Sequence, residues 1–199
     1  MRQEAPSVSP VKNLRLRRTQ KLLREALIEL IEERSFDVLT VGEITERAMV
    51  SRAAFYRNYQ DKYDLVEQIF AEAMNALFDA VSERGTEHPP QVWVRFFEHI
   101  AEYERLYRAL LGRKGSPWFV RKMRASLLDL LKQQLPVWQA AAGHPLYSAS
   151  DEFIPNLVVT MLVEAVTWWL ENGKPYSPQE VARRCAVLGS VIFKETSAW

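Results

Sequence analysis

At 199 residues, with 48% hydrophobic and 26% charged residues, the chain has enough apolar content for a small domain joined to a larger one. A formal net charge of +1 excludes a polybasic coat, so any affinity for nucleic acid must come from local placement of charge. The single cysteine, Cys185, excludes an intramolecular disulfide and a cysteine-cluster metal site, which fits a reducing cytoplasm.

Residues 1–13, with Pro6, Ser7, Ser9 and Pro10, are expected to form a disordered tail. The tail leads into a basic cluster, in which Lys12, Arg15, Arg17, Arg18, Lys21 and Arg24 occur with no acid among them. Arg17 and Arg18 are expected to lie on phosphates or in a minor groove, a solvated helix start being the competing reading. An amphipathic helix follows from Thr19 to Ile31. The sign of charge then reverses, because Glu25, Glu29, Glu32, Glu33, Asp37, Glu43 and Glu46 face Arg34 alone. Thr40 and Glu43 have the spacing of a capping box, and Val41, Ile44 and Ala48 line one side of the short helix it opens. Met49-Val50-Ser51 turns the chain, and Ser51 caps a second helix from Arg52 to about Tyr59 with Phe55 pointing inward. Arg52, Ala53, Tyr56 and Arg57 fall on its exposed start and side, the part that enters a major groove in a helix-turn-helix. Arg47, Arg52, Arg57 and Lys62, against Asp61, make this stretch positive again.

The run from about residue 15 to 66, ending in Phe-Tyr-Arg-Asn-Tyr-Gln-Asp-Lys-Tyr-Asp-Leu at 55–65, resembles the N-terminal DNA-binding domain of TetR-family transcriptional regulators. The resemblance implies a three-helix unit over residues 14–62. In it Thr40, Ser51, Tyr56, Tyr59 and Lys62 match phosphate contacts, and Arg52, Ala53, Ala54, Arg57 and Asn58 match places facing bases or the groove. The chemistry suits those roles, since hydroxyls and an ammonium donate to phosphate oxygens, Arg reads guanine bidentately and alanine methyls touch thymine. Core packing is the competing reading for Tyr56 and Tyr59. Two positions depart from the family pattern: Met49 replaces a turn glycine, which suggests a turn that tolerates a side chain, and Thr45 replaces a small alanine. Gly42 removes a side chain that could have reached DNA, so base readout by the first short helix is expected to be poor.

Asp61 is a good cap for a long linking helix to about Ser82, with Leu65, Ile69, Ala73, Ala76 and Leu77 on its inner face. After Gly85–Pro90, one helix is expected from about Gln91 to Leu111, and Ser116-Pro117 restarts another that Pro136 should kink or end. Past a loop at Gly143–Ser150, two helices run from about Glu152 to Asn172 and from Pro178 to Lys194, the last behind a Ser177–Glu180 capping box. Leu157–Leu170 is shorter than a membrane span and carries Glu164, so it reads as a buried helix. The fold class is therefore all-α: a three-helix DNA-binding domain fused through a long helix to a helical ligand and dimerisation domain over residues 63–199.

The segment from Tyr103 through Gly112 and from Gly115 to Met123 also resembles the regulatory domain of the TetR branch that includes relatives of the dihydroxyacetone-kinase regulator. That resemblance implies either a repressor or a TetR-fold adaptor or coactivator working through a protein partner. The region is rich in aromatic residues, and Trp93, Phe97, Tyr103, Tyr107, Trp118, Met123, Trp138, Met161 and Trp168 are candidates to line a site for a small apolar effector, plain core being the competing reading. Leu157, Met161, Ala165 and Trp168 on one of the last helices, with Cys185, Leu188, Gly189 and Ile192 on the other, are expected to form a homodimer interface, which would match a palindromic double-stranded operator. His88, His99 and His144 are scattered, so no metal or cofactor is expected. No nucleophile elbow, phosphate-cradling glycine loop or paired carboxylate is present, and no enzyme activity is expected. The first residues lack the apolar segment of a signal peptide, which points to a cytoplasmic protein.

Overall fold

A computed structural model describes residues 10–82, 91–112, 115–142 and 152–196. Among these residues the regular elements are all helical, and the chain divides into two compact units, residues 1–69 and 70–199. The boundary falls at Ile69 and Phe70, inside the linking helix, rather than at residue 62.

In the first unit α1 (Pro10–Glu33) packs on α2 (Val41–Arg47) and α3 (Arg52–Tyr56), and α4 (Lys62–Ser82) follows them in the chain. Helix α1 starts at Pro10, so residues 10–13 belong to a helix rather than to the expected tail; proline suits the first helical position, where its missing N–H has no partner to lose. The remainder of that tail, residues 1–9, lies outside the described residues. Leu23, Leu27, Ile44, Phe55, Leu65 and Ile69 are fully buried and form the core. A 3-10 turn at Phe36–Val38 brings the chain to Thr40.

The turn between α2 and α3 closes as a Schellman motif: Val50 N–H donates to the Thr45 carbonyl at 3.0 Å and Met49 N–H to Glu46 at 3.1 Å. Met49 occupies the left-handed position of that motif, with φ +52°. The turn thus keeps the geometry that favours glycine, correcting the expectation of a more tolerant one. Thr45 is buried and fits by donating its hydroxyl to the Gly42 carbonyl at 2.9 Å.

In the second unit the chain continues through α5 (Gln91–Glu102), α6 (Glu104–Leu111), α7 (Pro117–Ala142), α8 (Phe153–Glu171) and α9 (Pro178–Thr196). Helix α5 packs on α9, α7 on α8, and α8 on α9. The expected single helix over 91–111 is two, because Tyr103 leaves helical geometry and caps α6. Helix α7 runs past Pro136, which removes one backbone donor without ending the helix. The α6–α7 turn is tight: Ser116 N–H donates to the Leu110 carbonyl at 2.9 Å, and a Cβ on Gly115 would stand 2.2 Å from the same oxygen. Helix α8 is long and apolar enough to cross a membrane, which corrects the expectation of a segment too short to span; half of its apolar stretch is buried in this unit.

Because Met49 is 90% exposed and holds a conformation that costs an L side chain about 1 kcal/mol, Met49→Gly should stabilise the first unit by about 0.5–1 kcal/mol in urea unfolding. A loss of stability would mean that the exposed side chain packs in a way the turn geometry does not require.

Candidate functional site

The short helices of the first unit are held by side chains that cap them. The Thr40 hydroxyl accepts the Glu43 N–H at 3.3 Å and donates to the Glu43 carboxylate at 2.8 Å, while Thr40 N–H donates to that carboxylate at 2.8 Å. These hydrogen bonds from Thr40, with the Arg34 guanidinium at 2.7 Å, hold the Glu43 carboxyl below its usual range. A carboxylate stabilised in this way supports α2 above its ordinary value of 4.5, and that support is lost as pH falls through the lowered value. At α3 the Ser51 hydroxyl accepts the Ala54 N–H at 3.1 Å. Its own proton has no acceptor among the described residues, so Ser51 can donate to a phosphate, whereas the Thr40 proton is already committed to Glu43.

The cations of this unit divide into two sets. Arg47 pairs with Glu29 at 3.2 Å and Glu33 at 2.8 Å, Arg34 with Glu43, and Lys21 with Glu25 at 3.8 Å. Arg15, Arg17 and Arg18 on α1, and Arg52 and Arg57 on α3, are exposed and have no acidic partner among the described residues. Uncompensated guanidinium groups at a helix-turn-helix are what a polyanion can bind without first breaking an ion pair.

Placed residue by residue, the structure gathers Ser51, Arg52, Ala53, Tyr56 and Arg57 on the exposed side of α3, with Ala54 half-buried. Tyr56 is 59% exposed and packs edge-on against Phe55. Tyr59 is corrected: it is buried against Phe55 at 5.6 Å, four residues away on the same inward face. Asn58 also turns inward, its Nδ2 donating to the Ala54 carbonyl at 2.7 Å, which takes it away from the groove-facing set.

Lys62 is the largest correction. It is buried, and its ammonium donates to the carbonyls of Phe36 at 2.9 Å, Asp37 at 2.7 Å and Leu39 at 2.8 Å. All three donors are used, so none is left for a phosphate. The ammonium also lies 4.9 Å from the Phe36 ring centre and 5.1 Å from that of Tyr63. Burial lowers its pKa, opposed by the charges of Asp37, Asp61 and Glu43. Nothing in the sequence signalled this role, because its acceptors are backbone carbonyls some twenty-five residues away.

In the second unit Trp93, Phe97, Tyr107 and Met123 are buried. Phe97 meets Trp169 edge-on at 5.4 Å, and Tyr107 packs on Phe119 at 5.9 Å. The Tyr107 hydroxyl lies 3.0 Å from His99 Nε2, His99 stacks on Tyr103 at 4.7 Å, and Trp118 is half-buried beside Phe119. The Trp138 side chain lies outside the described residues. Trp168 faces outward, stacked on Tyr176 at 6.2 Å, and its neighbour Trp169 takes the interior place. Of the residues expected at a dimer interface, Leu157, Trp168 and Leu188 are exposed and Met161, Ala165 and Ile192 half-buried. Cys185 and Gly189 are corrected: both are buried within the unit, Gly189 facing Val158, and burial pushes the Cys185 thiol up to about 11. Phe153, Val187 and Val191 are exposed large apolar residues missed from the sequence; Phe153 and Leu157 stand four apart on α8, the signal that could have found the first.

The residue pattern described as "Bacterial regulatory proteins, tetR family" matches residues 23–69, and that of "Transcriptional regulator C-terminal region" matches residues 87–189. The chain belongs to the TetR family of transcriptional regulators. Among curated relatives, the HTH-type transcriptional regulator YxbF of Bacillus subtilis is 37% identical over 70 residues, and YvkB of the same organism 33% over 57. The aligned stretches cover 33% and 29% of this chain but only 18% of YxbF and 30% of YvkB. Among solved structures, a TetR regulator from Streptococcus agalactiae has a TM-score of 0.59 at 19% identity, covering 90% of this chain and 97% of its own. The fatty acid degradation regulator FadR of Bacillus halodurans gives 0.60 at 18% identity, covering 93% and 97%. The dihydroxyacetone kinase operon activator DhaS gives 0.59 at 16%, covering 89% and 97%. These structural likenesses extend the TetR fold over both units of the chain.

Lys62→Met keeps the apolar stem and removes the donors from three carbonyls, so it should destabilise the first unit by about 2–3 kcal/mol. Measured on folded protein, the slope of log affinity against log salt should be unchanged, because no phosphate contact is lost. Wild-type stability with a shallower salt slope would restore Lys62 to a phosphate role.

Proposed function

We propose that this TetR-family regulator is a cytoplasmic repressor that binds a palindromic operator as a homodimer and is released by a small apolar effector. The observation that supports the DNA reading is the division of arginines: Arg34 and Arg47 are tied to carboxylates, while Arg52 and Arg57 on the face of α3, like Arg15, Arg17 and Arg18 on α1, have no acidic partner among the described residues. In this reading Arg52 reads a base edge, Ser51 and Tyr56 donate to phosphates, and Arg17 and Arg18 add backbone contacts. Arg52→Ala should weaken operator binding and relax the choice of base at one position per half-site by about 1–3 kcal/mol, whereas Tyr56→Phe should lower affinity for all duplexes alike. Isotherms on operator and scrambled duplexes decide between them, and equal losses on both for Arg52→Ala would sink the base-reading role.

Dimerisation is supported by the outer face of the last two helices, where Phe153, Leu157 and Trp168 of α8 and Val187, Leu188 and Val191 of α9 are between 44% and 66% exposed. A soluble chain rarely leaves so many large apolar residues together on adjacent helices without a partner surface. Light scattering should give twice the monomer mass at micromolar concentration, and Leu157→Glu with Leu188→Glu should return the monomer. A monomeric wild type would remove the dimer from this reading.

The effector part rests on the aromatic content of the second unit. A release factor of about 100-fold requires about 2.7 kcal/mol of differential affinity, and by linkage the operator must weaken effector binding by the same factor. Titrating apolar ligands against tryptophan fluorescence, with and without operator, tests this. Trp93, Phe97, Tyr107 and Met123 are closed into the core, which favours a second reading in which a protein partner replaces the effector. A ligand whose affinity ignores DNA, together with a stoichiometric protein partner on affinity purification, would move the conclusion to that adaptor.

A further inference from the structure

Gly42 has no backbone reason to be glycine. It is the second residue of α2, and its φ is not positive. Glycine disfavours helix more than any residue but proline, so a seven-residue helix carries it at a cost. What occupies the space of the missing side chain is the guanidinium of Arg52. A Cβ on Gly42 would stand 2.7 Å from Arg52 Nη2, 3.5 Å from Cζ and 3.7 Å from Nε. Non-bonded atoms do not approach to 2.7 Å in this way, so any side chain at residue 42 moves the guanidinium.

The floor of this seat is fixed. The Thr40–Glu43 capping box starts α2, and the buried Thr45 hydroxyl holds the Gly42 carbonyl at 2.9 Å. Glu43, the adjacent carboxylate, is occupied by Thr40 and Arg34. Arg52 is therefore placed by shape and is not neutralised by an acid among the described residues. A long flexible side chain loses less freedom on binding when it already rests against a rigid surface. Arg52 begins α3, so its guanidinium crosses to residue 42 of α2, and the two short helices present one guanidinium between them.

We propose that Gly42 is a specificity-determining positioning residue, which seats the Arg52 guanidinium over α2 so that its fork meets the O6 and N7 edge of a guanine in the major groove. The proposal rests on the reading of α3 as the helix that enters the groove. Residue 42 touches no base; it acts through Arg52.

The test uses the full-length chain, its Gly42→Ala, Arg52→Ala and Arg52→Lys variants and the Gly42→Ala/Arg52→Ala double variant, each used to recover duplexes from a randomised double-stranded DNA library. Wild type should enrich a guanine at one position in each half-site, and Arg52→Ala and Arg52→Lys should lose it. Gly42→Ala should reduce that preference by about tenfold or more while leaving the other positions unchanged. Its thermal stability should equal or exceed wild type, because alanine favours the helix. The double variant should show no preference beyond that of Arg52→Ala, as expected of two residues acting through one contact. Loss of the guanine in Arg52→Ala but retention in Gly42→Ala overturns the seating role and leaves the groove reading standing. If Arg52→Ala itself keeps the guanine, the groove role of Arg52 fails and the seating role with it.

Discussion

The Lys62 ammonium gathers the carbonyls of Phe36, Asp37 and Leu39, and the geometry of the DNA-binding unit depends on that one point. These three oxygens belong to the 3-10 turn and its exit, where the Phe36 oxygen also accepts the Leu39 N–H at 3.1 Å. Burying an ammonium is costly, as its lowered pKa records, and the cost is offset by three charge-assisted hydrogen bonds, two aromatic faces and the fields of Asp37, Asp61 and Glu43. Because Lys62 is the first residue of α4, the same contact ties the start of that helix to the segment leading into Thr40. Thr40 then sets the start of α2, and the turn at Met49 sets α3 relative to it. Helix α3 is thus placed by a chain of local constraints anchored on one buried side chain.

The balance of charge follows the same economy. A net charge of +1 would be a poor basis for binding a polyanion if the charges were evenly spread. Glu29 and Glu33 of α1 instead pair with Arg47 of α2, and Glu43 of α2 pairs with Arg34 just past α1. Such exposed pairs contribute little to stability individually, so their main consequence is where they leave positive charge uncompensated. That remainder, Arg15, Arg17 and Arg18 on α1 with Arg52 and Arg57 at α3, is the positive charge of the unit that no acid among the described residues neutralises.

The elements governed by local rules were legible from the chain: the Thr40–Glu43 box, the Ser51 cap, the inward Phe55 and the overall order of helices. So was the inward turn of Tyr59, had the four-residue spacing from Phe55 outweighed the family match. Features set by distant partners were not. The acceptors of Lys62 are carbonyls of another segment, the Nδ2 of Asn58 donates to a carbonyl of α3, and Gly42 looked like a weakness because the Arg52 guanidinium arrives from the next helix. Tyr103 breaks one expected helix into two, although no proline or glycine marks the place.

In the second unit the adjacent tryptophans of α8 divide one helix between two tasks. Trp169 turns inward, edge-on to Phe97, and donates its Nε1 proton to the Tyr176 carbonyl at 2.9 Å. Trp168 turns outward and stacks on the Tyr176 ring, with Arg184 3.9 Å from the centre of that ring. Tyr176 therefore reads both tryptophans at once, one through its backbone and one through its side chain. A Trp, Tyr and Arg stacked in this way have little side-chain freedom left to lose, the property that makes such residues prominent in interfaces. The inner and outer faces of α8 therefore meet in one residue, since Trp169 holds the Tyr176 carbonyl while Trp168 rests on the Tyr176 ring.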